Sequence, residues 1–253
     1  MKRAAAIAAL LSLGLCRLAF PEDALRLFRK MQDALGGAEK LAAVRDFEQT
    51  VRAESFDANG RSIGDVRKRT RWIRPSFIRV DQIGPGSTYV LYFDGKSGWE
   101  ILPGSNKAVE LAGGELEFAQ GYVRGFFLLM WLADGDPRYK ITSPSENVVR
   151  ISDGDLAHQL DLTLDPASHR PVKETSLSLS DPAHPVPKDN LYEEWIIAGG
   201  LRFPSRFSVV RAGIRIAEAK SVDEVRINQG LKIEDLSAKP ADGKPVFSRP
   251  ESR

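Results

Sequence analysis

Residues 47–73 read FEQTVRAESFDANGRSIGDVRKRTRWI, and this stretch decides the fold class. Asn59-Gly60 separates two β-like runs, 47–56 and 62–73. An Asn-Gly pair favours the positive φ angles of a tight turn and is a strong short-range signal for a β-hairpin. The stretch therefore predicts two long antiparallel strands joined by a short turn.

The same type of turn recurs along the chain at intervals of one strand. Its markers are Asp94-Gly95, Asp153-Gly154, Gly199-Gly200 and Gly213. The β-like runs that they separate are 87–93 and 97–102, 147–152 and 156–164, and then 190–198, 201–211 and 214–228. Long strands joined in sequence by short turns predict an antiparallel meander.

Several of these runs alternate between apolar and polar residues, so each strand has one dry and one wet face. The residues expected on the dry face, at every second position, are Val51 and Ala53, Leu160, Leu162 and Leu164, and Thr175, Leu177 and Leu179. The sheet is therefore expected to cover an apolar interior on one side.

Three helices are predicted, two of them before the first strand. Residues 22–35 carry an apolar stripe at helical spacing and end at Gly36-Gly37, and a short helix covers about 38–44. Residues 115–134 form the third helix, which is apolar nearly all round at its C-terminal half and is therefore expected to be buried.

The N-terminus is typical of an export signal. Lys2 and Arg3 precede an apolar run from Ala4 to Cys16, which is too short to span a bilayer before Arg17 interrupts it. We predict a signal peptide over residues 1–20 and a periplasmic protein. Lipidation at Cys16 is the alternative, but Leu15 stands where a small residue normally precedes a lipidated cysteine.

Cleavage near residue 20 changes the charge and the redox chemistry of the chain. It removes Lys2, Arg3 and Arg17, so the formal charge falls from +2 to about −1. This charge provides no field that favours nucleic acid. The single cysteine, Cys16, is removed or left at the new N-terminus, so no internal disulfide is expected.

Signatures of an active site are scarce. His158, His169 and His184 lack the spacing of metal ligands, and no nucleophile elbow or phosphate-binding loop is present. We predict no catalytic residues, no metal and no cofactor. An enzyme whose site is assembled from residues far apart in the sequence stays open.

A basic run in the second strand has two interpretations. Arg67, Arg69 and Arg71 share one face, with Arg79 expected nearby. They form either a solvated outer face that discourages edge pairing or a surface for anionic headgroups or an acidic partner. We favour the solvated face.

Four stretches together resemble a known family, the periplasmic outer-membrane lipoprotein-sorting carriers (LolA/LolB-like). They are the helix-turn-helix segment 34–44 at the start of the domain, the hairpin 92–99, the Asp-Pro turn 164–172, and a C-terminal set formed by 200–204, 222–228 and Lys239-Pro240. They occur in the family's order and span nearly the whole mature chain.

The resemblance implies an incomplete antiparallel β-barrel (a half-barrel). Its N-terminal helix and its mid-chain helix would cover a hydrophobic concave face that shelters acyl chains. The expected partners are lipid or lipoprotein acyl chains, bound by a monomer. The residues predicted to line the cavity are Val51, Tyr89, Leu91, Trp99, Phe126, Met130, Leu177, Trp195 and Phe207.

The domain boundaries follow from these signals. A signal peptide covers 1–20, one LolA-like β domain covers 21–240, and a flexible tail covers 241–253. A rival function also stays open: a non-catalytic sensing or structural module of the cell envelope, filled by its own side chains and binding a protein partner.

Overall fold

The computed structural model describes residues 21–85, 87–154, 159–178 and 186–247, so the predicted signal peptide lies outside the described residues. Within these ranges, five α-helices accompany 13 strands. The helices are α1 Pro21–Leu35, α2 Ala38–Ala42, α3 Gly113–Arg124, α4 Phe127–Met130 and α5 Ile233–Ser237. The strands are β1 Asp46–Phe56, β2 Ser62–Ile73, β3 Phe77–Gly84, β4 Ser87–Phe93, β5 Gly98–Ile101, β6 Val109–Glu110, β7 Lys140–Thr142, β8 Val148–Ser152, β9 Leu160–Leu164, β10 Pro171–Ser178, β11 Val186–Ala198, β12 Leu201–Arg211 and β13 Ile214–Ile227.

All the described strands belong to one antiparallel sheet, which is not closed into a barrel. Its order is β6-β5-β4-β3-β2-β1-β13-β12-β11-β10-β9-β8-β7. Two meanders are thus joined where β1 pairs with β13, with Phe47 opposite Ile227. The predicted incomplete barrel with helices is confirmed, and β6 and β7 are its edges.

The turns marked in the sequence join the expected strands. Gly60 and Gly95 have φ of 74° and 102°, between β1 and β2 and between β4 and β5. The other three markers, Asp153-Gly154, Gly199-Gly200 and Gly213, each lie between two strands that pair. These pairs are β8 with β9, β11 with β12, and β12 with β13.

Helix α1 is held against the sheet at a close contact between two glycine turns. Phe28, Met31 and Leu35 are completely buried on its inner side. Gly36, at a φ of 121°, ends the helix, and a Cβ there would lie 2.5 Å from the Gly200 carbonyl oxygen. The helix can therefore approach the β11–β12 turn only with glycine at this position.

The mid-chain segment is broken rather than one helix, which corrects the prediction of a helix over 115–134. Helix α3 ends at Arg124 with Gly125 as its C-cap, and Phe126 is extended, with a ψ of 124°, before the single turn of α4. A short 3-10 turn follows at Ala133–Gly135. The break turns the large apolar side chains into the sheet. No helix among the described residues is both long enough and apolar enough to cross a bilayer.

The main core lies on the concave face, between the sheet, α1 and the mid-chain segment. Alternation puts Leu160, Leu162 and Leu164 there, all buried. The core also takes Phe47, Trp72 and Phe203, together with Phe126 and Trp131 from the mid-chain segment. The predicted dry face of the sheet is thus the concave face.

Three of the four arginines are buried, so the interpretation of a solvated outer face is wrong for them, whereas Arg67 is exposed. Arg69, Arg71 and Arg79 are 1–3% exposed on the convex face. The Asp81 carboxylate, fully buried, accepts hydrogen bonds from Arg71 at 2.8 Å and from Arg79 at 3.0 Å. Arg69 donates to Glu48 at 3.1 Å. A segment distant in sequence shields these charges from water.

That segment is the C-terminal part of the chain, residues 231–247. Arg79 donates to the Leu236 carbonyl oxygen at 3.0 Å, and the Val246 backbone N–H donates to Asp81 at 3.0 Å. Leu236 packs beside Trp99 in a second, smaller apolar cluster. The flexibility of 241–253 stays a prediction, and residues 248–253 lie outside the described residues.

Replacement of Asp81 should test how far the fold depends on this buried cluster. Asp81→Asn leaves Arg71 and Arg79 without their countercharge in a dry site, so we expect the free energy of unfolding to fall by about 3–5 kcal/mol. Urea denaturation measures this loss.

The matched control is Asp223→Asn on the surface. Asp223 pairs with the exposed Arg52 at 3.0 Å, so its replacement should cost about 0–1 kcal/mol. Equal losses in the two variants would contradict a stabilising role for the buried cluster.

Candidate functional site

The concave face divides into two halves along the strands. Near α1 the inward residues are buried, as are Phe47, Trp72 and Phe203. Toward the opposite end the inward residues of the same strands, such as Val66 and Val209, are only half-buried. We call the first region the packed half and the second the open half, which comprises Ala53, Val66, Lys68, Tyr89, Tyr122, Lys188, Asn190, Tyr192, Phe207 and Val209.

The packed half is filled by aromatic side chains of the chain itself. The ring of Phe126 lies 5.3 Å from that of Trp72, and the ring of Phe127 lies 5.3 Å from that of Phe47. Gln32 of α1 donates to the Trp131 carbonyl oxygen at 2.9 Å and to Asp134 at 2.9 Å, which holds the mid-chain segment in place. The rings of this half are therefore packed together from the sheet to the mid-chain segment.

The open half is lined by half-buried aromatic rings that contact each other and the border of the main core. Tyr192 lies 5.7 Å from Trp195 and 6.4 Å from Phe207, measured between ring centroids. On α3, Tyr122 lies 6.3 Å from Phe118, which is 47% exposed. These rings form an accessible apolar wall of the kind that takes up apolar ligands.

A lysine and a tyrosine form the first polar pair of the open half. Lys68 Nζ donates to the Tyr122 hydroxyl at 3.0 Å. Burial by itself would raise the pKa of Tyr122, but the charges of Lys68 and Lys188 and the hydrogen bond from Lys68 outweigh it and lower that pKa. The open half thus holds positive charge beside its apolar wall.

Carboxylates bind the other tyrosines of this face. The Tyr192 hydroxyl donates to Glu174 at 2.7 Å, and Asn190 donates to the same carboxylate at 2.7 Å. Tyr89 donates to Glu100 at 3.1 Å. Burial, and then the neighbouring carboxylate, raise the pKa of both tyrosines. Each acid is therefore engaged by a neutral donor at physiological pH.

The structure brings four of the predicted lining residues to the open half or its border. Tyr89 and Phe207 line it, Trp195 borders it, and Val51 is buried at its boundary between Lys68 and Val222. The residues Leu91, Phe126 and Met130 also lie on the concave side, but they are buried in the main core.

The other two predicted residues lie on the convex face. Trp99 is opposite Tyr92 in the sheet, and its indole N–H donates to the Ser237 carbonyl oxygen at 3.2 Å. Leu177 is opposite Pro187, while its neighbour Ser176 faces inward with Lys188. The structure therefore does not bring Trp99 and Leu177 to the site.

The polar residues of the open half were missed, although one of them carries a sequence signal. Lys68 lies on the same face of β2 as Thr70 and Trp72. Arg69 and Arg71 lie on the other face. A single lysine on the apolar side of a strand is a signal that alternation reveals. Tyr122 and Glu174 meet their partners only through the fold.

The open half offers aromatic and aliphatic side chains together with two lysines and one asparagine. Within the described ranges, no group of three or more His, Cys, Asp or Glu side chains is placed to hold a metal ion. The arrangement supplies an apolar wall with a few polar groups that fix orientation.

Comparison with solved structures places the fold. A putative outer membrane lipoprotein-sorting protein domain from Vibrio parahaemolyticus has a TM-score of 0.54 and 13% identity, over 86% of this chain and 97% of that one. A DUF1329 family protein from Desulfovibrio piger has a TM-score of 0.54 and 9% identity, over 84% and 96% of the two chains. A LolA superfamily protein from Nitrosomonas europaea has a TM-score of 0.51 and 15% identity, over 82% and 97%.

The fold is therefore LolA-like, as the sequence resemblance implied. No protein-family model matches the chain, and no curated protein matches it.

Replacement of Lys68 should change the alkaline titration of the protein. The pKa values of Tyr89, Tyr92, Tyr139 and Tyr192 are all raised, so Tyr122 is expected to ionise first of the five tyrosines. In Lys68→Met the pKa of Tyr122 should rise, because the effect of burial remains and the charge and hydrogen bond of Lys68 no longer counteract it. The ultraviolet absorbance of tyrosinate measures the titration.

Lys220→Met is the control for this titration, since the exposed Lys220 pairs with Glu54 at 2.8 Å. It should leave the first tyrosine step in place. An early tyrosine step that persists unchanged in Lys68→Met would show that the Lys68–Tyr122 pair does not exist in solution.

Proposed function

We propose that the protein is an exported carrier that shelters the acyl chain of a lipid or lipoprotein in the open half of the concave face. The observation that carries this proposal is the contrast between the two halves. One is filled by Phe126, Phe127 and Trp131, whereas the other keeps aromatic rings half-buried. A protein that needed only stability would gain by burying these rings as well.

The energetics support an acyl chain as the apolar part of the ligand. Each buried CH₂ group contributes about 0.8 kcal/mol, so a chain of ordinary length is strongly driven from water into such a wall. Tyr192, Trp195 and Phe207 supply this surface from the late strands, and Tyr122 supplies it from α3. The acyl chain would run along the strands and end at the packed half.

The polar groups indicate where the head of the ligand lies. Lys68 and Lys188 place positive charge beside Tyr122, and Asn190 presents an amide near Tyr192. A head group that carries a carbonyl, ester or phosphate oxygen would accept hydrogen bonds from these donors. The proposal requires no catalytic step and no cofactor.

The cell compartment and the cargo are part of the proposal. The basic and apolar N-terminus supports export to the periplasm, and the fold is shared with a putative outer membrane lipoprotein-sorting domain. We propose a periplasmic monomer that binds lipoprotein or lipid acyl chains.

A second function rests on the packed half. Because this half is filled by the protein's own side chains, the fold is also suited to a non-catalytic envelope module that binds a protein partner. The two functions differ in whether purified protein takes up an acyl chain.

Replacement of Phe207 should weaken binding of a fluorescent fatty acid. Phe207→Ser removes an aromatic wall of the open half, so we expect the dissociation constant to rise about 10- to 100-fold, as the loss of one buried aromatic contact implies. Fluorescence titration measures this change. Ala53→Trp, which places bulk on the same face, should have a similar effect.

Ile197→Ser is the matched control, because Ile197 is 66% exposed at the end of β11. It should leave the dissociation constant within about twofold of the original value. An acyl carrier would be ruled out if the original protein took up no fluorescent fatty acid and carried no lipid in mass spectrometry after gentle purification.

A further inference from the structure

A cavity opens at the end of the half-barrel opposite the open half, beside the packed half. It has a volume of about 640 Å³ and lies between the β2–β3 turn, the β4–β5 turn and the mid-chain segment. The packed core separates it from the open half. Nothing in the proposed function uses this cavity.

Two arginines of this cavity carry buried N–H groups that have no acceptor. Arg74 donates through Nε to the Val44 carbonyl oxygen at 3.0 Å, but its Nη2 is buried and has no hydrogen-bond partner. Arg124, in the last turn of α3, has a buried Nε without a partner. A guanidinium group that loses water without gaining an acceptor is costly, so such groups are usually satisfied in the native state.

The acidic residues that line the cavity are already engaged. Asp136 accepts hydrogen bonds from Arg138 at 3.0 Å, and this bond lowers the pKa of the Asp136 carboxyl. Asp134 accepts a hydrogen bond from Gln32 at 2.9 Å. Among the described residues, neither Arg74 nor Arg124 forms an ion pair with a carboxylate. Three arginines and two carboxylates line the cavity, so its lining carries one net positive charge.

The rest of the lining is apolar and aromatic. Val123, Leu129 and Leu132 contribute aliphatic surface, and Tyr139 lies close enough to Arg124 for the arginine's charge to act on its hydroxyl. The guanidinium of Arg74 also lies 5.5 Å from the ring of Trp72, so one of its faces is covered. A ligand in the cavity would therefore meet the edge of this group.

We propose that this cavity binds the anionic head of a small amphiphile, a phosphate or carboxylate held by Arg74 and Arg124 with its apolar part against Leu129 and Leu132. Guanidinium groups suit both anions, because their planar N–H groups match the spacing of oxyanion oxygens. The site is separate from the open half and does not depend on the proposed function.

Isothermal titration calorimetry with butyl phosphate tests the site, because a four-carbon chain is too short to need the open half. We expect Arg74→Gln and Arg124→Gln each to weaken binding by about tenfold or more, since each removes a charge-assisted hydrogen bond. The control is Arg138→Gln, which removes the same charge from the same cavity at a residue already paired. It should keep the affinity within about threefold.

Two further ligands distinguish the source of the anion. Butyl phosphate binding more tightly than inorganic phosphate would identify an amphiphile, and equal affinities would identify a free phosphate as the occupant of the same anion site. Butylammonium should not bind. The proposal fails if butylammonium binds as well as butyl phosphate, if butyl phosphate does not bind, or if the three arginine variants lose affinity equally.

Thermal unfolding provides an independent readout that does not rely on affinity. Arg124→Met removes an unsatisfied buried group while keeping the apolar stem, so the ligand-free Tm should rise. Butyl phosphate should raise the Tm of the original protein and leave that of Arg124→Met unchanged. A lower ligand-free Tm in Arg124→Met would assign Arg124 a structural role and overturn the proposal.

Discussion

The rest of the structure depends on one constraint: the chain must pass from one edge of an open sheet to the other. Strands β1 to β6 proceed outward in one direction, and the next strand, β7, forms the opposite edge. Residues 111–139 make this passage across the concave face. Since they cross the interior, their apolar side chains become the core, and the position of Gly125 decides which part of the interior is filled.

The division of the interior follows from this passage. The extended conformation at Phe126 directs Phe126 and Phe127 toward Phe47 and Trp72, near α1. Helix α3 reaches the rest of the concave face with fewer large apolar residues, and Tyr122 meets Lys68 there. The candidate binding surface is thus the part of the sheet that the crossing segment does not fill.

Much of this fold was predictable from local patterns, whereas the assignment of faces was not. Glycine-containing turns and alternation are local properties, so they revealed the hairpins and the dry face of β9. Leu177 was predicted on the wrong face because a bulge between Pro171 and Lys173 exchanges the inward and outward positions of β10. Trp99 and the arginines of β2 were misjudged for another reason. Residues 231–247 cover the convex face, and no local pattern around Trp99 or the arginines of β2 indicates that a distant segment packs there.

The pairing of the first strand with the last has a consequence for biogenesis. Asp46 accepts hydrogen bonds from the backbone N–H groups of Gln229 and Gly230, and Arg45 donates to Asn228 across 183 positions of sequence. The central strand β1 therefore lacks one neighbour until almost the whole chain has been synthesised. Contacts so distant in sequence form slowly. The complete sheet can therefore form only after strand β13 has been synthesised.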